Sequence, residues 1–315
     1  MTLTFSEQTK TAYLFPGQGA QVVGMGKDLY QNSRAARDIF EQADDALGRS
    51  LSTILFEGPE DLLRDTINAQ PGIMAVSLAC MEAIKENLDQ DDIPVPFAMA
   101  GHSLGEYTAL SAAGILNVKD VSRLVQKRGE LMQEACEKNP GTMAAILGLD
   151  EVVLQEIAKE SGTYVSNVNT NEQIVISGSN MGIARAMDLA TARGAKKVIP
   201  LRVGGAFHSG LMEPAKAGLV EALESIEFRK SDISIIANCT GDAINSPEEI
   251  KQELVSQIAG CVQWKRSVDH MIRTGVNNFV EIGPGRALTG MVKRIDRKAN
   301  TTSVSDIESI LALSR

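Results

Sequence analysis

The stretch Pro94-Val95-Pro96-Phe97-Ala98-Met99-Ala100-Gly101-His102-Ser103-Leu104-Gly105-Glu106-Tyr107 decides how this chain is read. Residues 94–100 form a short apolar segment that predicts a strand, and residues 104–113 predict a helix that Gly114 is placed to end. Gly101 and Gly105 flank Ser103 at minus two and plus two. A sharp strand-to-helix turn needs such small neighbours, because side chains there would collide with the adjoining backbone. The turn lifts the Ser103 hydroxyl clear of a sheet and aims the N–H groups of the helix start at any oxyanion formed beside it. Ser103 is therefore the candidate nucleophile of a covalent-intermediate enzyme.

Working outward, strand-like and helix-like segments alternate along the chain, which predicts α/β architecture with a parallel sheet core. Residues 11–15 predict a strand before a glycine-rich turn, and residues 118–135 an amphipathic helix. The order then changes. Strand candidates at 141–147, 163–168, 173–177 and 196–199 interleave with helix candidates at 150–160 and 181–193, the order of a ferredoxin-like α+β unit. The expected organisation is a large α/β-hydrolase-like domain of residues 1–137 and 203–315, with a small inserted domain of residues 138–202. Segments at 234–237 and 278–294 return to the large domain.

The formal net charge of −9 opposes non-specific binding to nucleic acid or acidic membranes. The four cysteines, Cys80, Cys136, Cys239 and Cys261, include no Cys-x-x-Cys pair, so neither a zinc site nor a disulfide framework is expected. Residues 1–10 lack a basic start followed by an apolar stretch, so no signal peptide is read there. The most apolar run, 71–84, is shorter than a bilayer requires and includes Glu82. A cytoplasmic, freestanding monomer without metal or resident cofactor is expected.

A serine hydroxyl needs a base at neutral pH, and the chain has three histidines. His102 adjoins the serine, where neighbouring side chains on a tight turn diverge. His270 reads as a partly exposed helix residue. His208 lies in Gly204-Gly205-Ala206-Phe207-His208-Ser209, a flexible turn suited to placing a base over another element's site, and is the candidate base.

Arg128 falls in the middle of the apolar stripe formed by Val121, Leu124, Val125, Leu131, Met132 and Ala135. A guanidinium on the core side must find an anion or several acceptors. A structural ion pair would meet that need, and so would a ligand carboxylate held two-pronged. The loop Phe15-Pro16-Gly17-Gln18-Gly19-Ala20-Gln21 completes neither nucleotide-binding pattern, but at the end of a strand it could donate an N–H to the oxyanion. Glu281-Ile282-Gly283-Pro284-Gly285 reads as a tight turn.

Phe15-Pro16-Gly17-Gln18-Gly19, Gly101-His102-Ser103-Leu104-Gly105-Glu106-Tyr107, Gln126-Lys127-Arg128-Gly129 and Gly205-Ala206-Phe207-His208 occur in that order. Gln257-Ile258-Ala259-Gly260-Cys261-Val262-Gln263-Trp264 and the 281–285 turn complete the series. Together they resemble the malonyl-CoA:acyl carrier protein transacylase family over nearly the whole chain. The resemblance implies that Ser103 takes the malonyl group and that His208 is its base, oriented by the main-chain carbonyl of Gln257 in place of a triad aspartate. It implies an oxyanion hole from the N–H groups of Gln18 and Leu104. Arg128, as partner of the malonyl carboxylate, His102 and Asn169 form the implied substrate-binding set, and Phe207 resembles the malonyl-selective pattern. The family commonly has proline where Cys261 stands, and Asn169-Thr170-Asn171-Glu172-Gln173 lacks its usual Asn-Ser-Pro.

The expected reaction is malonyl transfer from malonyl-CoA, a substrate, to the phosphopantetheine carried by acyl carrier protein, for fatty acid or polyketide synthesis. The competing reading is a serine thioesterase or esterase using the same Ser103–His208 pair. Carrier proteins are acidic as a class, and Lys196, Lys197 and Arg202 are the docking candidates.

Overall fold

The structure is a computed structural model and describes residues 9–313. Ten strands form two sheets: β1 (Lys10–Phe15), β2 (Pro96–Gly101), β3 (Gly141–Leu147), β4 (Tyr164–Val168), β5 (Gln173–Ser179), β6 (Lys197–Pro200), β7 (Ser234–Ile236), β8 (Ala243–Ile244), β9 (Val276–Ile282) and β10 (Asn300–Val304). The larger sheet runs β10-β9-β1-β2-β7-β8, parallel except for the β7–β8 edge pair. Its inner strands β1 and β2 are buried over residues 11–15 and 98–101, as a parallel sheet covered on both faces requires.

The smaller sheet, β4-β5-β3-β6, is antiparallel throughout, with the helices Glu151–Ser161 and Asn180–Ala192 packed on it. Both helices begin on side-chain caps, Asp150 for the first and Ser179 for the second. The order and pairing are those of a ferredoxin-like unit. Segment 261–263 joins its edge: Val262 N–H donates to Ser166 O (2.8 Å) and Val168 N–H to Val262 O (2.9 Å). The unit is thereby tied to the chain that follows Gln257.

One reading from the sequence needs correction. The apolar run at 71–84 belongs to a 22-residue helix, Thr66–Asn87, which has the length and composition to cross a membrane. Of its apolar window, 89% is buried inside the protein. It contacts both the helix Arg34–Leu47 and the helix Val118–Lys138, and its low amphipathicity follows from being covered all round.

β1 and β2 end side by side, Phe15 opposite Gly101. Their carboxyl ends open into a cleft of about 980 Å³ that lies between the two sheets. Gln18, His102, Ser103, Asn169 and His208 all line it. This is where a parallel sheet ordinarily receives a ligand.

Candidate active site

The turn between β2 and the helix Leu104–Ala112 is built by close backbone approach. A Cβ on Gly101 would lie 1.8 Å from the Gly105 carbonyl carbon, and one on Gly105 would lie 2.0 Å from Phe15 O. Ser103 sits between them at φ 53°, ψ −109°, a conformation costly for an L-residue. Asn238, just beyond β7, holds the turn from the side: its Oδ1 accepts the Ser103 N–H (2.7 Å) and its Nδ2 donates to Gly101 O (2.7 Å). The strain is thus carried by fixed partners.

His208 reaches this turn on the 204–209 loop and also has positive φ, 55°. Its Nε2 is 2.7 Å from Ser103 Oγ and its Nδ1 is 2.9 Å from Gln257 O. A carbonyl oxygen can only accept, so Nδ1 carries the proton and Nε2 is left to accept from the serine. Burial and the nearby Arg128 charge push the His208 pKa down to about 3. The imidazole is neutral over the physiological range and free to take a proton.

Arg128 is completely buried beneath the nucleophile. Its Nη1 donates to Gln70 Oε1 (2.6 Å), and its Nη2 to Ser103 Oγ (3.1 Å) and Gln257 Oε1 (2.9 Å). The guanidinium lies 5.3 Å from the Tyr107 ring centroid, and Nε has no hydrogen-bond partner. Every acceptor is neutral. Among the described residues no carboxylate forms an ion pair with Arg128, so the structural ion pair left open by the sequence is not formed.

The acyl transferase domain model matches residues 12–310. The malonyl CoA-acyl carrier protein transacylase of Bacillus subtilis (strain 168) is 44% identical over 307 residues, covering 96% of this chain and 95% of the relative. The chain belongs to the malonyl CoA-acyl carrier protein transacylase family. The crystal structure of the acyl-carrier-protein-S-malonyltransferase from Bartonella henselae superposes with a TM-score of 0.92 at 40% identity, over 96% of this chain and 98% of that one. A malonyl-transacylase solved in complex with a type II polyketide synthase acyl-carrier protein superposes equally, at 0.92 and 38% identity, over 97% and 99% of the two chains.

Of the other residues expected from the sequence, Gln18, His102 and Asn169 line the cleft and Leu104 lies at the helix start beside Ser103. The Gln18 side chain reaches Thr66 Oγ1 (3.3 Å) and Gln70 Nε2 (3.4 Å). Leu104 is the first residue of its helix, so its N–H has no intrahelical acceptor. His102 and Asn169 meet directly, with Nε2 and Oδ1 2.9 Å apart and the imidazole packed against Trp264. The chain through Cys261 leaves Gln257 O on His208, and the Asn169 and Thr170 N–H groups both close on Gln173 O (3.1 and 3.2 Å). His270, by contrast, lies on a helix elsewhere, paired with Asp242 at 3.1 Å.

Sequence reasoning missed Asn238, Gln70 and Glu106, although each carried a signal. Gln70 and Glu106 are polar residues beside apolar runs of their helices, and both are buried. Asn238 is the first polar residue after the β7 apolar run. The 281–285 turn also has a capping residue: buried Glu281 accepts the Leu288 and Thr289 N–H groups (3.1 and 2.8 Å) at the start of the helix Ala287–Ile295.

Proposed function

We propose that the chain transfers the malonyl group of malonyl-CoA to the phosphopantetheine thiol of acyl carrier protein through a malonyl-Ser103 ester. Ser103 Oγ attacks the thioester carbonyl while its proton passes to His208 Nε2. The tetrahedral oxyanion is received by the N–H groups of Gln18 and Leu104. Collapse breaks the C–S bond, and His208 returns its proton to the departing CoA sulfur. The carrier thiol then enters, gives its proton to His208, attacks the ester and regenerates the serine.

The observation that carries this reading is the buried guanidinium 3.1 Å from Ser103 Oγ with only neutral acceptors. An acyl group on Ser103 that ends in a carboxylate brings that carboxylate to a guanidinium that has no anionic ion-pair partner among the described residues. An acetyl group leaves the charge as it was. His102 and Asn169 border the same cleft and are assigned to substrate contact. The unit of residues 138–202, whose sheet is separate from the catalytic one, is assigned as one wall of that cleft. Its relatives are bacterial enzymes, and a CoA thioester substrate supports a cytoplasmic place. One chain supplies Ser103, His208 and Arg128, which supports action as a monomer.

The docking proposal narrows. Lys196 is engaged by Glu172 at 3.2 Å, whereas Arg202 lines the cleft, so Arg202 is the stronger candidate for the acidic carrier.

Intact-mass analysis after mixing with malonyl-CoA tests the function directly. A malonyl adduct is expected in the wild type and not in Ser103→Ala; an unmodified wild type would defeat the proposal. Adding carrier protein separates transfer from hydrolysis, since a thioesterase releases CoA continuously without it.

A further inference from the structure

Behind Gln257 lies a buried acid that the acyl-transfer chemistry does not use. Gln257 has both ends of its side-chain amide engaged. Oε1 accepts from Arg128 Nη2 at 2.9 Å, while Nε2 donates to Ser103 O at 2.8 Å and to Glu106 Oε2 at 2.6 Å. The other carboxyl oxygen of Glu106, Oε1, accepts the Asn238 N–H at 3.2 Å. Glu106 and Gln257 are both fully buried.

The amide thus stands between a buried cation and a buried acid, its dipole aligned with both. Flipping it would set an NH2 group against the guanidinium and an oxygen against both the Ser103 carbonyl and the Glu106 carboxyl. A carboxylate placed directly on Arg128 would satisfy the guanidinium and compete with a substrate carboxylate. An intervening amide holds the guanidinium by a neutral oxygen and keeps its charge available.

Resting on the malonyl-transfer reading, we infer that Glu106 is a positioning residue for substrate choice. Acting through the Gln257 amide, it sets Arg128 beneath Ser103 with its charge unspent. Burial and the neighbouring Glu253 raise the proton affinity of Glu106, while the Gln257 amide, the Asn238 N–H and Arg128 oppose them. Glu253 accepts the Cys239 N–H (2.8 Å) on the far side.

Glu106→Gln keeps the shape but replaces a carboxyl oxygen with an NH2 group and removes the titratable acid, so a donor must face either Gln257 Nε2 or the Asn238 N–H. Wild-type and variant acylation rates on malonyl-CoA and acetyl-CoA read the outcome. Malonyl kcat/KM should fall roughly 10- to 100-fold, chiefly through KM, while acetyl kcat/KM changes little. In an Arg128→Ala background the same substitution should add almost nothing. Equal losses for both substrates, or an undiminished effect without Arg128, would overturn the assignment. Should Glu106→Gln not fold, Gln257→Met decides: it removes the amide and spares the main-chain carbonyl on His208. Loss of malonyl preference supports the inference, and retained preference refutes it. Wild-type acylation by malonyl-CoA tests the underlying function separately, because the inference depends only on the ratio between substrates.

Discussion

His208 Nδ1 lies 2.9 Å from the main-chain carbonyl oxygen of Gln257, the position in which a serine–histidine–aspartate triad holds a carboxylate. The carbonyl fixes the tautomer as a carboxylate would, but it supplies no negative charge to the imidazolium. With burial and Arg128 acting in the same direction, His208 resists protonation.

That resistance predicts the pH dependence of acylation. The base works when neutral, so the acid limb of single-turnover kcat/KM for malonyl-CoA should lie well below the ordinary histidine value of about 6.5. A limb at that ordinary value would contradict the environment described for His208. Stability responds to pH in the same direction. The unfolded histidine takes a proton at about 6.5, whereas the folded one does so only at about 3. The unfolded state binds more protons between these limits, so the His208 contribution to stability is complete above them and is lost as the pH falls through the window. Thermal melts across this range check the sign.

Arg128→Ala should lower malonyl kcat/KM by roughly 10²- to 10³-fold, the scale for losing one partner of a buried charge contact. Acetyl transfer should be kept or improve, because the variant buries no unpaired cation. Parallel kinetics with the two CoA esters would expose an equal loss, which the carboxylate clamp does not allow.

Asn238→Ala removes an acceptor from the Ser103 N–H and a donor from Gly101 O, leaving both turn groups without their partner. A destabilisation of about 2–4 kcal/mol is expected from these two contacts. Acylation should slow as well, since Ser103 is held in its strained conformation partly by Asn238. Urea unfolding and adduct formation measure the two effects on the same preparation.

Gly101→Ala and Gly105→Ala should be among the most damaging small changes in the chain. Each new methyl would meet backbone, at 1.8 Å from Gly105 C in one case and 2.0 Å from Phe15 O in the other. A loss above about 3 kcal/mol is expected for each, because backbone on both sides of the turn has to move. Soluble yield and melting temperature compare them with Gly114→Ala, where the added Cβ meets no atom within 4 Å and only the φ of 77° opposes it.

Much of the fold was legible because its signals are local. The strand, glycine turn and helix around Ser103 lie within about a dozen residues, and the core-facing position of Arg128 follows from one helical period. The interleaving of strand and helix candidates through residues 141–199 is equally short-range. The helix Thr66–Asn87 was under-read because burial on every side erases the periodicity that marks a helix, leaving only an apolar run.

The residue types at Ser103, His208 and Arg128, and the glycines that make room for the first, are properties of the chain read along its length. The partners that make them a site are not. Asn238 meets Ser103 across 135 residues and Glu106 meets Gln257 across 151, so those contacts exist only once β2, β7 and the helix Pro247–Gln257 are stacked. The same stacking leaves Arg128 among neutral oxygens instead of in an ion pair. Periodicity shows that a charge faces inward; what it meets there depends on elements brought together by burial of the whole core.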